Sequence, residues 1–270
     1  MTSAPVGRGR VHADLAALGG FFALAAPPPP GGDAVPWTQV LADDALTARF
    51  AAVRVALAAG SRLPVEEVDP KVAVSAAQVS LASRLWSVAL AGAVLHGWVP
   101  DLSPANLVAS PVHRGEVPLG VRDPAAGYAV PAVAGDAADA ASVVSGTVVP
   151  SLGLLADACA RTGRTPRRVL TSNATSALVG GARVLARARP GHGADAWALA
   201  RALLERPEVA EGGSRVAAAT LPAGTGGAME HDAEAFLRSG CCVFYRLPGH
   251  GLCPDCVLAP SRADEVTPGH

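Results

Sequence analysis

The chain has few aromatic residues and an almost balanced charge. Phe, Trp and Tyr make up only 4% of its 270 residues, which disfavours an aromatic-rich β-sandwich. Half of the residues are apolar, mostly alanine, valine and leucine, a composition typical of closely packed helices. Lys71 is the only lysine, the formal net charge is −1, and no basic tract is present. We therefore expect no nucleic-acid partner.

Long apolar runs are also scarce. A membrane-spanning helix needs about 20 mostly apolar residues, and the best candidates, residues 85–95 and 15–26, are shorter. Asp14 precedes the second run and prolines 27–30 follow it, which argues against a signal peptide. We therefore expect a cytoplasmic protein with no transmembrane segment, for which peripheral contact with a membrane stays open.

Cysteine is nearly missing from most of the chain and is concentrated near one end. Cys159 stands alone in an apolar helical stretch, where we expect a buried, inert thiol. The other four are Cys241, Cys242, Cys253 and Cys256. A secreted disulfide protein is usually small and spreads its cysteines through the fold. The clustering therefore indicates a four-sulfur metal site.

The spacing within this group bears on the kind of site. Cys253-Pro-Asp-Cys256 brings two sulfurs around a tight turn, so that both face one ion. Cys241 and Cys242 are adjacent, and in an extended strand they would face opposite sides. Both serve one site only if the backbone bends there or if the site holds more than one metal atom. We predict that the ten-residue spacer forms an apolar strand followed by a Pro-Gly turn.

Three metal or redox sites compete for this pattern. Structural zinc prefers short spacings in both pairs, and the adjacent Cys241 and Cys242 do not provide one. A thioredoxin-like dithiol belongs at a strand–helix junction, and few residues follow Cys256. A 2Fe–2S cluster with four thiolates fits best, because neighbouring thiolates can reach different irons. Zinc remains the main alternative.

Periodicity and helix breakers predict a mainly α (α+β) fold. Residues 72–97 form a long helix that is apolar on almost every face. Further helices are predicted over residues 11–26, 37–59, 136–149 (with Pro150 either kinking it or starting a new helix to 162), 166–188 and 195–204. Residues 106–121 predict a small β-hairpin insertion around a turn at 113–116.

The same patterns predict three regions. A helical body covers residues 11–210, a glycine-rich linker covers 211–231, and a short metal-stapled cysteine module covers 232–260. A short helix over residues 232–237 leads into the cysteines. Such a module is too small to build its own core, so we expect the metal to hold its shape.

The cysteine segment resembles a known family. Residues 239–258, Ser-Gly-Cys-Cys-Val-Phe-Tyr-Arg-Leu-Pro-Gly-His-Gly-Leu-Cys-Pro-Asp-Cys-Val-Leu, are similar to the C-terminal signature of the ferric siderophore reductases of the FhuF type. In that family the four cysteines ligate a 2Fe–2S cluster, which implies the ligands Cys241, Cys242, Cys253 and Cys256. The resemblance is looser over residues 83–87 and 170–178. One basic residue that the family often has before the cysteine pair is missing here.

The resemblance implies an enzyme, a ferric-siderophore oxidoreductase. It would reduce siderophore-bound Fe(III) to Fe(II) by one electron and release the iron in the cytosol. The implied substrate is a ferric siderophore of the hydroxamate type. No catalytic side chain beyond the cluster is expected, because no proton has to move in that step. Since no dinucleotide fingerprint is present, we expect a separate electron donor.

Three side chains near the cysteines have expected roles. Arg238 and Arg246 are candidates for the positive charge that stabilises a reduced cluster, with a surface ion pair as the alternative role. His250 lies in the spacer, and we expect an exposed turn residue because four cysteines already complete the ligand shell.

Two other functions stay open from the sequence. The chain could be a zinc-stapled binding or regulatory module. It could also be a 2Fe–2S electron carrier that has no siderophore substrate.

Overall fold

The computed structural model describes residues 8–25, 33–112, 119–218, 227–228 and 234–259. The fold is 62% helical, which confirms the mainly α prediction. The described residues form eight α-helices: α1 (Arg8–Leu18), α2 (Trp37–Val40), α3 (Asp43–Ser61), α4 (Pro70–His96), α5 (Ala137–Gly163), α6 (Arg167–Ala188), α7 (Gly193–Leu204) and α8 (Pro207–Ala210).

Helix α4 lies at the centre of the body and confirms the long apolar helix predicted from the sequence. Asp69 caps its first turn by accepting a hydrogen bond from the backbone N–H of Lys71, and Pro70 occupies the first helical position. Gly97, with φ of 59°, ends it in the left-handed conformation that glycine adopts most easily. Helices α3, α5, α6 and α7 pack around it.

Among the helices that the structure describes, α4 and α5 are long and apolar enough to cross a membrane by length and composition alone. Within the protein, 72% of the most apolar window of α4 and 56% of that of α5 are buried. The core helices of a folded protein are buried in the same way. That the chain has no transmembrane segment stays a prediction.

Three helix boundaries differ from the sequence expectations. Helix α1 ends at Leu18, because Gly19 and Gly20 both take positive φ. The stretch predicted over residues 37–59 is divided into α2 and α3. Pro150 neither starts a new helix nor ends one, since α5 continues through it to Gly163.

Within the described ranges, short strands form three small sheets. β1 (Val35–Pro36), β3 (Leu107–Ala109) and β4 (Leu119–Val121) form one sheet in the order β1-β3-β4, and β2 (Trp98–Pro100) pairs with β5 (Gly127–Ala129). The antiparallel pairing of β3 with β4 confirms the predicted hairpin. Its predicted turn, 113–116, lies outside the described residues.

The third sheet corrects two predictions. β6 (Gly213–Ala217) and β7 (Gly227–Ala228) both pair antiparallel with β8 (Glu234–Arg238). The short helix predicted over residues 232–237 is therefore wrong, and so is the loop predicted at 213–217. In so short a segment the helix propensity of the residues is outweighed by strand pairing, because pairing buries Ala235 and Phe236. The division into body, linker and module stays a prediction.

Candidate metal centre

The cysteine segment follows strand β8 directly. All four of its cysteines are free thiols; Cys242 and Cys256 are buried, whereas Cys241 and Cys253 are half-buried. The Sγ atoms of Cys242 and Cys253 lie 3.1 Å apart, so the segment folds back and brings the two predicted pairs into contact. Cys241 and Cys253 therefore reach the protein surface, whereas Cys242 and Cys256 are turned inward.

The backbone bends sharply just after the adjacent cysteines. Val243 has φ of 62°, a left-handed conformation that is strained for a β-branched residue. The bend lets the backbone N–H of Val243 donate to Cys241 Sγ at 3.3 Å and the N–H of Phe244 donate to Cys242. The strand predicted for the spacer is wrong: Phe244–Arg246 is a 3-10 turn. The predicted Pro-Gly turn follows it at residues 248–249.

A small apolar cluster holds the bend in place. Val243 and Leu247 pack against Ala58 of α3, Val68, and Val72 of α4. The bend is thus anchored to the ends of two body helices, and this packing offsets part of its strain.

The second cysteine pair lies in the predicted tight turn. The backbone N–H of Cys256 donates to the Cys253 carbonyl at 3.1 Å, and the N–H of Leu258 donates to Cys256 Sγ at 3.4 Å. Backbone N–H groups pointing at sulfur stabilise thiolates, and hydrogen bonds of this kind tune iron–sulfur centres.

Polar side chains of α4 and α6 hold the first cysteine pair. We call Ser75, Arg168, Ser172, Asn173 and Ser176 the polar face. Ser75 Oγ donates to the Cys242 carbonyl at 2.8 Å, and Asn173 Nδ2 donates to Ser75 Oγ at 2.8 Å. Ser172 Oγ lies 3.0 Å from the Gly240 carbonyl and Arg168 donates to the Ser239 carbonyl. Side chains of α4 and α6 therefore hold the backbone of residues 239, 240 and 242, which leads into the site.

A buried ion pair links the polar face to the second cysteine pair. Arg238 Nε lies 3.0 Å from Asp255 Oδ2, and the two side chains are only 8% and 12% exposed. Arg238 also donates to Asn173 Oδ1 at 2.7 Å and to Ser176 Oγ at 2.6 Å, while Ser176 donates to Asp255 at 2.5 Å. Because Asp255 lies between Cys253 and Cys256, this network fixes both halves of the cysteine segment.

The thiols act on one another electrostatically. The contact with Cys253 lowers the pKa of Cys242, and the pKa of Cys253 is raised, again chiefly by that contact. Burial raises the pKa of Cys241, with the charges of Cys242 and Cys256 adding to it. The positive charge of Arg238 favours the thiolate at Cys241, Cys242 and Cys253. Metal binding requires that thiolate form.

Arg246 and Arg238 have different roles in the structure. Arg246 Nη1 donates to Asp69 Oδ2 at 2.8 Å in an exposed ion pair at the start of α4. Arg238 is buried and faces the thiols. Of the two candidate arginines, the structure therefore brings Arg238 to the cysteines. His250 is exposed and contacts the ring of Phe244, with centroids 5.1 Å apart, as expected for a turn residue.

Cys159 lies apart from this group on α5. It is 1% exposed, and burial raises its pKa to about 12. The burial confirms the expectation of a buried cysteine, and a thiol with so high a pKa is mostly protonated near neutral pH.

The donor set of the site bears on the kind of metal centre. Among the described residues, no three Cys, His, Asp or Glu side chains lie close enough together to hold a metal ion, so the kind of centre follows from the donor set and not from the distances. All four thiols are free, and backbone N–H groups donate hydrogen bonds to the sulfurs of three of them. Such a donor set suits an iron–sulfur cluster. The donor set is thus that expected of a cysteine-ligated metal centre.

Comparison with known proteins gives the particular domain. Residues 238–258 match the family model of the FhuF 2Fe-2S C-terminal domain, and all four clustered cysteines lie inside the match. This segment is therefore similar to FhuF-type 2Fe–2S domains, and the match supports a 2Fe–2S cluster as the cofactor. No curated protein and no solved structure matches the chain.

The residues of the polar face and Asp255 hold the cysteine segment in place, and sequence reasoning does not identify them. Their partners are far away along the chain; Ser75 and Cys242, for example, are 167 positions apart. One signal is present: Thr171-Ser-Asn-Ala-Thr-Ser176 is a run of weak helix formers inside a helix. Such residues belong inside a helix where their side chains have partners outside it.

Proposed function

We propose that Cys241, Cys242, Cys253 and Cys256 ligate the 2Fe–2S cluster, and that the protein is a cytoplasmic ferric siderophore reductase. The observation that carries this proposal is that all four free cysteines of the segment lie within the matched domain, where the Sγ atoms of Cys242 and Cys253 are in contact. The name of that domain refers to the cluster; the substrate and the reaction rest on the family resemblance described above.

The reaction needs little from the protein besides the cluster and its setting. When bound, the cluster supplies single electrons, the unit by which Fe(III) becomes Fe(II). Hard anionic oxygens hold Fe(III) far more tightly than Fe(II), so this reduction is enough to loosen the chelate. Arg238 offsets the negative charge of four thiolates, and the half-buried Cys241 and Cys253 lie where a solute can approach.

A separate electron donor completes the proposal. The chain has no dinucleotide fingerprint, so the oxidised protein has to be reduced again by another molecule. In the experiments below, a chemical reductant takes the place of that donor.

Metal and sulfide analysis of anaerobically purified protein tests the cluster ligands. Two irons and two acid-labile sulfides per chain are expected for the wild type and for Cys159→Ser. Cys256→Ser should lose them. Stoichiometric zinc without sulfide in the wild type contradicts the proposal.

Stopped-flow mixing of the reduced protein with ferric siderophores tests the reaction. The cluster absorbance should return to its oxidised level as an Fe(II) chelator traps the product, one Fe(II) for each cluster oxidised. If no ferric siderophore reoxidises the protein while a small inorganic oxidant does, the protein is an electron carrier instead.

A further inference from the structure

The sulfurs of Cys242 and Cys253 are in direct contact. Their Sγ atoms lie 3.1 Å apart, although the two residues are 11 positions apart in the chain. A disulfide has an S–S distance of about 2.05 Å, so a shift of about 1 Å would join the two sulfurs. Cys242 belongs to the adjacent pair and Cys253 begins the Cys-Pro-Asp-Cys turn. A bond between them would therefore tie the two halves of the cysteine segment together.

The surroundings of the two cysteines permit such a shift on one side. The carbonyl of Cys242 accepts a hydrogen bond from Ser75 Oγ at 2.8 Å, which holds this residue against α4. Cys253 instead follows residues 248–252, all of which are exposed. A side-chain atom added at Gly251, in this stretch, would meet no atom within 4 Å. Cys253 can therefore approach Cys242 without displacing the helical body.

The two sulfurs differ in their access to solutes. Cys253 is half-buried, so a small oxidant can reach it, whereas Cys242 is only 3% exposed. An accessible cysteine beside a second cysteine that can attack it is the usual arrangement of a thiol that is reversibly oxidised. Cys159 has neither property, since it is 1% exposed and lies apart on α5. Cys159 is therefore an internal reference for oxidation.

A disulfide within the Cys-Pro-Asp-Cys turn is the main alternative. In that turn the backbone N–H of Cys256 donates to the Cys253 carbonyl at 3.1 Å, and Cys256 Sγ accepts a backbone hydrogen bond at 3.4 Å. Asp255, between the two cysteines, is held by its buried ion pair with Arg238. Turning Cys256 toward Cys253 would disturb these contacts, whereas Cys242 and Cys253 already touch. The geometry therefore favours the bond between the two pairs.

We propose that Cys242 and Cys253 form a reversible disulfide when hydrogen peroxide removes the cluster from the protein. The accessible Cys253 thiol takes one oxygen atom from hydrogen peroxide and becomes a sulfenic acid, and the rest of the peroxide leaves as water. The Cys242 thiol then attacks the Cys253 sulfur, so that the S–S bond forms, the S–O bond breaks and a second water leaves. The two thiols lose two electrons, and hydrogen peroxide gains them.

The disulfide would close the site until a thiol reductant opens it again. Metal binding requires free thiolates, so a bond between Cys242 and Cys253 removes two of the four proposed ligands at once. This consequence rests on the proposed function, which makes both residues cluster ligands. The bond also protects the two sulfurs from the irreversible steps of cysteine oxidation. Disulfides inside cells are typically transient ones of this kind.

Peptide mapping of the full chain tests the pairing, because trypsin cuts between the two pairs. Cleavage after Arg238, Arg246 and Arg262 places Cys242 in peptide 239–246 and Cys253 in peptide 247–262. The cluster-containing protein is treated with hydrogen peroxide and an iron chelator, its remaining thiols are blocked with N-ethylmaleimide, and the digest is analysed by mass spectrometry without reduction. The two peptides should be joined, and dithiothreitol should separate them. Fragmentation of the joined peptides should assign the bond to Cys242 and Cys253.

Serine variants provide matched controls for the same experiment. Cys242→Ser should lose the joined peptides, because its neighbour Cys241 does not contact Cys253 in its place. Cys241→Ser and Cys256→Ser should keep them, and Cys159→Ser should behave as the wild type does. The readout is a covalent bond and does not depend on whether a variant holds a cluster.

The outcomes separate this inference from the proposed function. The pairing is overturned, and the ligand assignment left intact, if the oxidised wild type has no disulfide or has one inside peptide 247–262. Joined peptides in Cys242→Ser, or a bond between two chains on a non-reducing gel, overturn it as well. If the joined protein takes up iron and sulfide without a thiol reductant, the pairing stands and the proposed ligand role of Cys242 and Cys253 is overturned.

Discussion

The two ends of the α4–α6 pair are built in different ways. At one end Gly181 of α6 lets its helix approach Leu90 and Ser87 closely, among buried leucines and valines. At the other end Asn173 donates to Ser75 and Gln78 donates to the Leu170 carbonyl. The first end is held together by close apolar packing and the second by a hydrogen-bonded network.

This difference shows what each end does. Apolar cores tolerate substitutions of similar volume, because packing has no direction. A buried polar network is directional, and each group that loses a partner is costly. The apolar end therefore supplies stability, whereas the polar end fixes the position of one segment, the one that contains the cysteines.

The largest effect is expected from removing a sulfur at the polar end. Cys256→Ser should lose the visible absorbance of the cluster, because oxygen replaces one of the four proposed thiolate ligands. Cys159→Ser, in the apolar body, should keep the full absorbance and the full iron and sulfide content. A Cys256→Ser protein with an unchanged spectrum contradicts the ligand assignment.

The next effect concerns the buried ion pair. Arg238→Met leaves Asp255 charged and buried without its partner, which should lower the free energy of unfolding by about 3–5 kcal/mol. The reduction potential should also fall, because the reduced cluster carries more negative charge and loses a nearby cation. Urea denaturation followed by circular dichroism measures the first effect, and redox titration followed by absorbance measures the second.

Arg246→Met is the matched control for this prediction. Its ion pair with Asp69 is exposed, so its loss should leave the denaturation midpoint and the potential nearly unchanged. Equal responses of the two variants would mean that burial of Arg238 is without consequence.

A pair of variants then compares the two ends directly. Leu90→Ala should lower the free energy of unfolding by about 2–5 kcal/mol, through lost burial and a residual cavity, with no change in potential. Asn173→Ala should cost about 1–3 kcal/mol, because Arg238 and Ser75 each lose a partner. It should also change the potential, since those partners contact the cysteine segment. A potential that moves in Leu90→Ala but not in Asn173→Ala would reverse the assignment of roles.

The two ends also differ in how far the sequence alone predicts them. A long apolar run predicts α4, and helix breakers around a polar–apolar pattern predict α6, because both signals are local in the sequence. Cysteine spacing predicts the contact between the two cysteine pairs for the same reason. The ion pair between Arg238 and Asp255 is not predictable in this way, since it depends on how distant segments fold together. Local propensity does not predict strand β8 either, because pairing with β6, a tertiary contact, outweighs it.

The smallest effect tests how tightly the polar end is packed. A methyl group added at Gly240, next to Cys241, would lie 2.9 Å from the Arg168 carbonyl, which belongs to the backbone of α6 and cannot move easily. Gly240→Ala should therefore cost about 1–3 kcal/mol of stability and shift the cluster spectrum. Gly146→Ala, in open space on α5, should instead stabilise the protein by about 0.5–1 kcal/mol, because alanine loses less backbone entropy in a helix. Thermal melts and cluster spectra measure both variants, and a Gly240→Ala protein as stable as the wild type would show that the cysteine segment moves freely against α6.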